Sequence, residues 1–148
     1  MIDYSKLRAR LAAGDWREAD KETLTIMLKI SDRENDPQQR LRVEDIQRFP
    51  CEDLRTINQL WLEHSEGHFG FSVQNRIWHE FGGNSNLDDK TYCRFEENLG
   101  WRVNGGWLGR HGSTTIEGHF PCPWEWDGGP VVKLEVVSLL SRIQTCNL

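Results

Sequence analysis

The sequence predicts an all-α fold: a single-domain helical bundle over residues 1–148, with a long aromatic loop before the last helix. Apolar residues recur at three- and four-residue spacing along most of the chain, the period of a helix with one buried face. Capping or breaking residues bound these stretches. Regular spacing fails only over 100–129, where Gly and aromatic residues dominate. That region reads as a long structured loop, a feature that is usually functional in a compact domain.

Tyr4, Leu7 and Leu11 mark the first helix, and Gly14 stops it. Asp15 is placed to cap the second helix, with Glu18 as its capping-box partner. Trp16, Ala19, Thr23, Ile26, Met27 and Ile30 form that helix's apolar stripe. The polar stretch 31–40, broken by Pro37, is a loop. A short helix follows over 43–48, with Ile46 and Phe49 facing inward. Pro50 opens the next helix, where its missing N–H costs little, and Glu52 and Asp53 suit the positive end of the helix dipole. Leu54, Ile57, Leu60 and Trp61 are its buried stripe. Gly67 and Gly70 permit a tight turn, after which Ser72 caps a helix carrying Val73, Ile77, Trp78 and Phe81 and ending at Gly82-Gly83. The helical core thus falls within about 1–83. A polar linker over 84–89 leads to a short helix around Tyr92, Phe95 and Leu99. Inside the aperiodic region, Asn104-Gly105 signals a small hairpin. A final helix is expected over 131–143.

Composition removes several functional classes. A net charge of −5 is the wrong sign for a generic nucleic-acid binder. No apolar run approaches the roughly 20 residues of a membrane-spanning helix, and no signal peptide opens the chain, so the expected location is cytoplasmic or peripheral to a membrane. Cys51, Cys93, Cys122 and Cys146 are scattered without CxxC spacing and read as reduced thiols. His64 and His68 lack a third ligand and read as turn histidines, so no metal site is assigned. No carboxylate pair has the contrasting environments of an acid and a base, and no phosphate-binding glycine loop occurs, so no catalytic residue is assigned.

The late loop carries the remaining chemistry. Of seven Trp, four (Trp101, Trp107, Trp124 and Trp126) lie in the final third. Trp107, Ile116, Phe120, Trp124 and Trp126 are the candidates to contact a broad apolar ring. Arg110, His111 and Lys133 are candidates for carboxylates at its edge, with Arg33 and Arg40 approaching from the 31–40 loop. A tetrapyrrole has this combination of flat apolar face and charged rim. Covering several hundred Å² of it at about 25 cal/mol/Å² would supply several kcal/mol.

Longer motifs carry a family resemblance. They include Leu11-Ala12-Ala13-Gly14-Asp15-Trp16, Val43-Glu44-Asp45-Ile46, Phe49-Pro50-Cys51-Glu52-Asp53-Leu54, Ile57-Asn58-Gln59-Leu60-Trp61 and Phe69-Gly70-Phe71-Ser72-Val73-Gln74. Later signposts are Gly100-Trp101-Arg102, Trp107 and Gly118-His119-Phe120-Pro121. In these the chain resembles the Genomes-uncoupled-four family. The resemblance implies a helical fold shaped like a cupped hand, whose palm takes protoporphyrin IX or Mg-protoporphyrin IX as ligand, with no obligatory cofactor. It further implies a non-enzymatic regulator of magnesium chelatase in chlorophyll biosynthesis, with the chelatase large subunit or a signalling protein as partner. Between Pro121 and Lys133 there is no arginine, and Glu125 and Asp127 stand where cations would meet propionates. The alternative reading is therefore a regulatory or protein-interaction module on the same scaffold that has lost the pigment.

Overall fold

In the computed structural model, residues 2–83, 88–124 and 133–148 are described. They form α1 (Ser5–Ala12), α2 (Trp16–Ile30), α3 (Val43–Gln47), α4 (Cys51–Ser65), α5 (Phe71–Glu80), α6 (Asp89–Asn98), the strands β1 (Arg102–Val103) and β2 (Gly106–Trp107), a 3-10 turn (Gly109–His111) and α7 (Lys133–Thr145). The all-α class holds.

Helix α1 packs on α2 and α4, and α7 packs on α3 and α5. The predicted stripes of α2, α4 and α5 line one contiguous apolar core, except that Phe81, the C-cap of α5, is exposed. Trp61 lies at its centre, stacked on Phe120 at 5.7 Å between ring centroids and edge-on to Phe69 at 6.1 Å. Its indole N–H donates to Thr23 Oγ1 (3.0 Å), which satisfies the one polar atom that a buried Trp brings into a core.

Several local expectations hold. Pro50 is the N-cap of α4. Asn104 and Gly105 both take positive φ, as a two-residue hairpin turn of the primed type needs, and pair Arg102 with Trp107 and Val103 with Gly106. Two caps differ. Asp15 stands at the N-cap of α2 but makes no capping hydrogen bond; its carboxylate lies 3.8 Å from Arg10 instead. Ser72 sits inside α5, and the N-cap is Gly70. The Ser72 N–H donates to Asn58 Oδ1 (3.0 Å), so α4 supplies the acceptor that was expected from the serine itself. Gly70 has φ +140°, and a Cβ there would stand 3.0 Å from Leu62 Cδ2, so α4 and the turn approach too closely for a side chain.

The cysteine expectation is overturned. Cys51 and Cys146 form a disulfide across a sequence separation of 95, with their Cα atoms 5.4 Å apart. Cys93 and Cys122 are free. Helix packing brings the start of α4 against the end of α7, a proximity that spacing along the chain does not reveal.

Candidate functional site

The long loop after α6 has two described parts, a clamped flank and a hairpin. Charged and polar groups of α2 and α5 hold the flank. Asp20, fully buried in α2, accepts from Arg110 Nε (2.8 Å) and from the Cys122 backbone N–H (2.7 Å). One carboxylate therefore binds the loop at two points twelve residues apart. Burial pushes the Asp20 carboxyl up and the Arg110 guanidinium draws it back down. Breaking a buried pair of this kind costs about 3–5 kcal/mol, because the remaining charge is left uncompensated. Arg17, on the same helix, donates to the carbonyls of Arg110 (3.1 Å) and Gly112 (3.0 Å). From α5, the Gln74 amide donates to the carbonyls of Gly118 (2.9 Å) and Pro121 (2.7 Å). Trp101 Nε1 donates to the His119 carbonyl (2.8 Å), and His119 Nδ1 donates to the Leu99 carbonyl (2.7 Å). Aperiodic backbone buried this deeply must find partners away from regular structure, and these side chains provide them.

The hairpin lies on α6. Arg102 Nε pairs with Glu96 (3.1 Å), and its guanidinium carbon stands 5.7 Å from the centre of the Trp107 ring. Trp107 is half-buried and meets Trp101 edge-on at 6.1 Å. Its indole N–H is buried without a hydrogen-bond partner. Next to it, Val103 is 48% exposed and Leu108 40% exposed. Seven residues before Glu96 on α6, Asp89 pairs with Lys133, whose ammonium stands 6.0 Å from the Tyr92 ring. Arg102 and Lys133 thus meet α6 through partners seven residues, about two helical turns, apart.

The structure divides the residues singled out from sequence. Phe120 is 0% exposed and packed against Trp61 and Phe69 in the core. Trp124 is 6% exposed. Arg110, 6% exposed, is committed to Asp20 and the Cys122 carbonyl, an anchor for the loop rather than a rim cation. Ile116 is half-buried against Gly100, and His111 is exposed at the end of the 3-10 turn. Arg33 pairs with Asp45 (2.9 Å), which also accepts the Arg42 N–H, fastening the 31–40 loop to α3. Arg40 is half-buried in that loop. Trp126, Glu125 and Asp127 lie outside the described residues. Trp107 and Lys133 are brought to the α6 face, together with Arg102, which the sequence marked as part of a family signpost. Asp20, Arg17 and Gln74 were missed as loop anchors. The sequence gives no sign of the burial of Asp20 and Gln74, except that Asp20 interrupts the inward stripe of α2, and Arg17 is an exposed residue whose partners lie more than 90 positions away.

A separate cavity of about 660 Å³ lies between α5 and α7, walled by Asn75, Trp78, His79, Val137, Leu140 and Ser141 among others. Among the described residues, no Lys or Arg lines it. Among the described residues, no group of three or more His, Cys, Asp or Glu is placed to hold a metal ion, and no helix is long and apolar enough to cross a membrane.

Fold and loop together define a small helical scaffold built around one long anchored loop. The chain belongs to the GUN4-like family, which it matches over residues 1–133. It is 34% identical over 106 residues to a Ycf53-like protein of Synechocystis, a match covering 72% of this chain and 42% of that protein. A chloroplastic tetrapyrrole-binding protein of Arabidopsis thaliana is 33% identical over 75 residues, 51% of this chain and 28% of that protein. The chain therefore spans less than half the length of these two relatives. The structure of GUN4 from Chlamydomonas reinhardtii superposes with a TM-score of 0.73 at 24% identity, covering 95% of this chain and 85% of that one. At that identity the likeness carries the fold alone.

Proposed function

We propose that this protein is a non-enzymatic tetrapyrrole-binding protein that takes protoporphyrin IX or its magnesium form and regulates magnesium chelatase in chlorophyll biosynthesis. The observation that carries the reading is membership of the GUN4-like family, with a relative that bears the name tetrapyrrole-binding protein. The α6 face supports it chemically. Trp107 offers a half-buried indole, Val103 and Leu108 are exposed apolar side chains beside it, and the Trp107 N–H has no partner. Arg102 and Lys133 stand at the edges, where ligand propionates would compete with Glu96 and Asp89 for them. Ile116, His111, Arg33 and Arg40 are proposed as further wall and rim positions, and Trp126 as a ring contact from outside the described residues. The cavity between α5 and α7 suits a dianionic pigment less well, because its described wall carries no Lys or Arg. The functional partner would be the large chelatase subunit or a signalling protein, and the expected location is cytoplasmic.

Titration with protoporphyrin IX tests the reading. A red-shifted Soret band and quenched Trp fluorescence at micromolar pigment are expected. Trp107→Ala should weaken binding about tenfold, the equivalent of about 1.4 kcal/mol. Unchanged spectra at tens of micromolar pigment, with the helical signal intact, would contradict it and favour an interaction module on the same scaffold.

A further inference from the structure

Three links tie the last helix to the start of α4. Cys51, the first residue of α4, is disulfide-bonded to Cys146, the residue after α7. Arg55, one turn further along α4, donates to the Cys146 carbonyl (2.8 Å). Arg142, one turn back on α7, donates to the Phe49 carbonyl (3.0 Å). The two halves of the disulfide differ in access. Cys146 is 3% exposed, whereas Cys51 is only partly buried and packs at the margin of the core. Only one of the three links is covalent, and the more exposed of its two residues stands at a helix N-terminus.

We propose that the Cys51–Cys146 disulfide is a thiol-exchange site, opened by a dithiol reductant, that sets whether the C-terminal end of α7 stays docked on α3 and α4. The chemistry balances in two displacements. A thiolate of the reductant attacks Cys51 Sγ, and the electron pair of the broken S–S bond leaves on Cys146 Sγ, which takes up a proton. The second thiol of the reductant then attacks its own sulfur in the mixed disulfide and expels the Cys51 thiolate, which is protonated in turn. The protein gains two electrons and two protons, and the reductant departs as a disulfide. The unpaired N–H groups opening α4 favour the expelled thiolate, while Glu52 and Asp53 in the same turn oppose it. With the bond open, two arginine-to-carbonyl hydrogen bonds and the packing of α7 remain. Opening is therefore expected to loosen the last turns of α7 locally and to leave the bundle folded. The proposal stands apart from any tetrapyrrole ligand.

Native oxidised protein, incubated with millimolar dithiothreitol and then alkylated, gives the test. Mass spectrometry should find new label on Cys51 and Cys146 while far-UV circular dichroism is unchanged. Hydrogen exchange of residues 140–148 should quicken by about tenfold or more, with the middle of α4 unaffected. Cys146→Ser should show the fast exchange without reductant, and Cys93→Ser should not. If Cys146→Ser fails to fold, the reduced wild-type chain supplies the same reading. Three results would overturn the proposal: no label on Cys51 until denaturant unfolds the chain, unchanged exchange at 140–148 in the reduced protein, or loss of the whole helical signal on reduction.

Discussion

His119 is a single buried ring that joins two parts of the late region. Its Nδ1–H is donated to the Leu99 carbonyl, and its own carbonyl accepts the Trp101 indole N–H. Burial holds the imidazole below its ordinary pKa of 6.5, while the carbonyls of Leu99 and Arg110 and the nearby Asp20 pull it back up and Arg17 adds to the lowering. The sign follows from linkage. A depressed pKa means that the unfolded chain binds the proton more readily, so the contribution is fully present above pH 6.5 and is lost as pH falls toward the folded value. Urea unfolding of the wild type should therefore weaken below pH 6.5, by at most about 1.4 kcal/mol per pH unit from this group. In His119→Asn, whose amide can still reach the Leu99 carbonyl, that slope should flatten. A mutant slope equal to the wild type's would assign the pH dependence elsewhere.

Among the elements, the loop between α6 and α7 is the one whose structure departs furthest from regular repeats, and its backbone leaves little room. Gly112 has an ordinary backbone conformation, yet a Cβ there would stand 2.2 Å from the Gly100 carbonyl oxygen and 2.7 Å from His119. Gly112→Ala should cost about 1–3 kcal/mol, as overpacking does, and lower the urea midpoint; an unchanged midpoint would mean that the two chain segments are not held so close. What could be read from sequence divides along the same line. The helices were legible because each buries one periodic face, and the hairpin because Asn104-Gly105 tolerates two positive φ values. Within 100–129 no period says which aromatic side chain points inward, so Phe120, a core residue, looked like a ligand contact. Arg110 looked like a rim cation because its partner, Asp20, is 90 residues away. The Cys51–Cys146 bond was hidden for the same reason: its closeness is made by helix packing and leaves no local pattern.

At the scale of the whole molecule, the fold presents one stiff flank and one open one. Asp20, Arg17 and Gln74 bind the loop's 110–122 stretch to α2 and α5, which anchors it to the core. The hairpin on α6 keeps apolar side chains in solvent and cations at its border. The family match adds a shared GUN4-like fold, and the ligand site proposed above lies on the exposed flank. Hydrogen exchange with and without saturating protoporphyrin IX tests that claim most directly. Pigment should slow exchange in residues 102–108 and in the first turn of α7, while 117–122 stays slow in both states. Protection confined to the walls of the α5–α7 cavity, or bound pigment with no change at the hairpin, would contradict it.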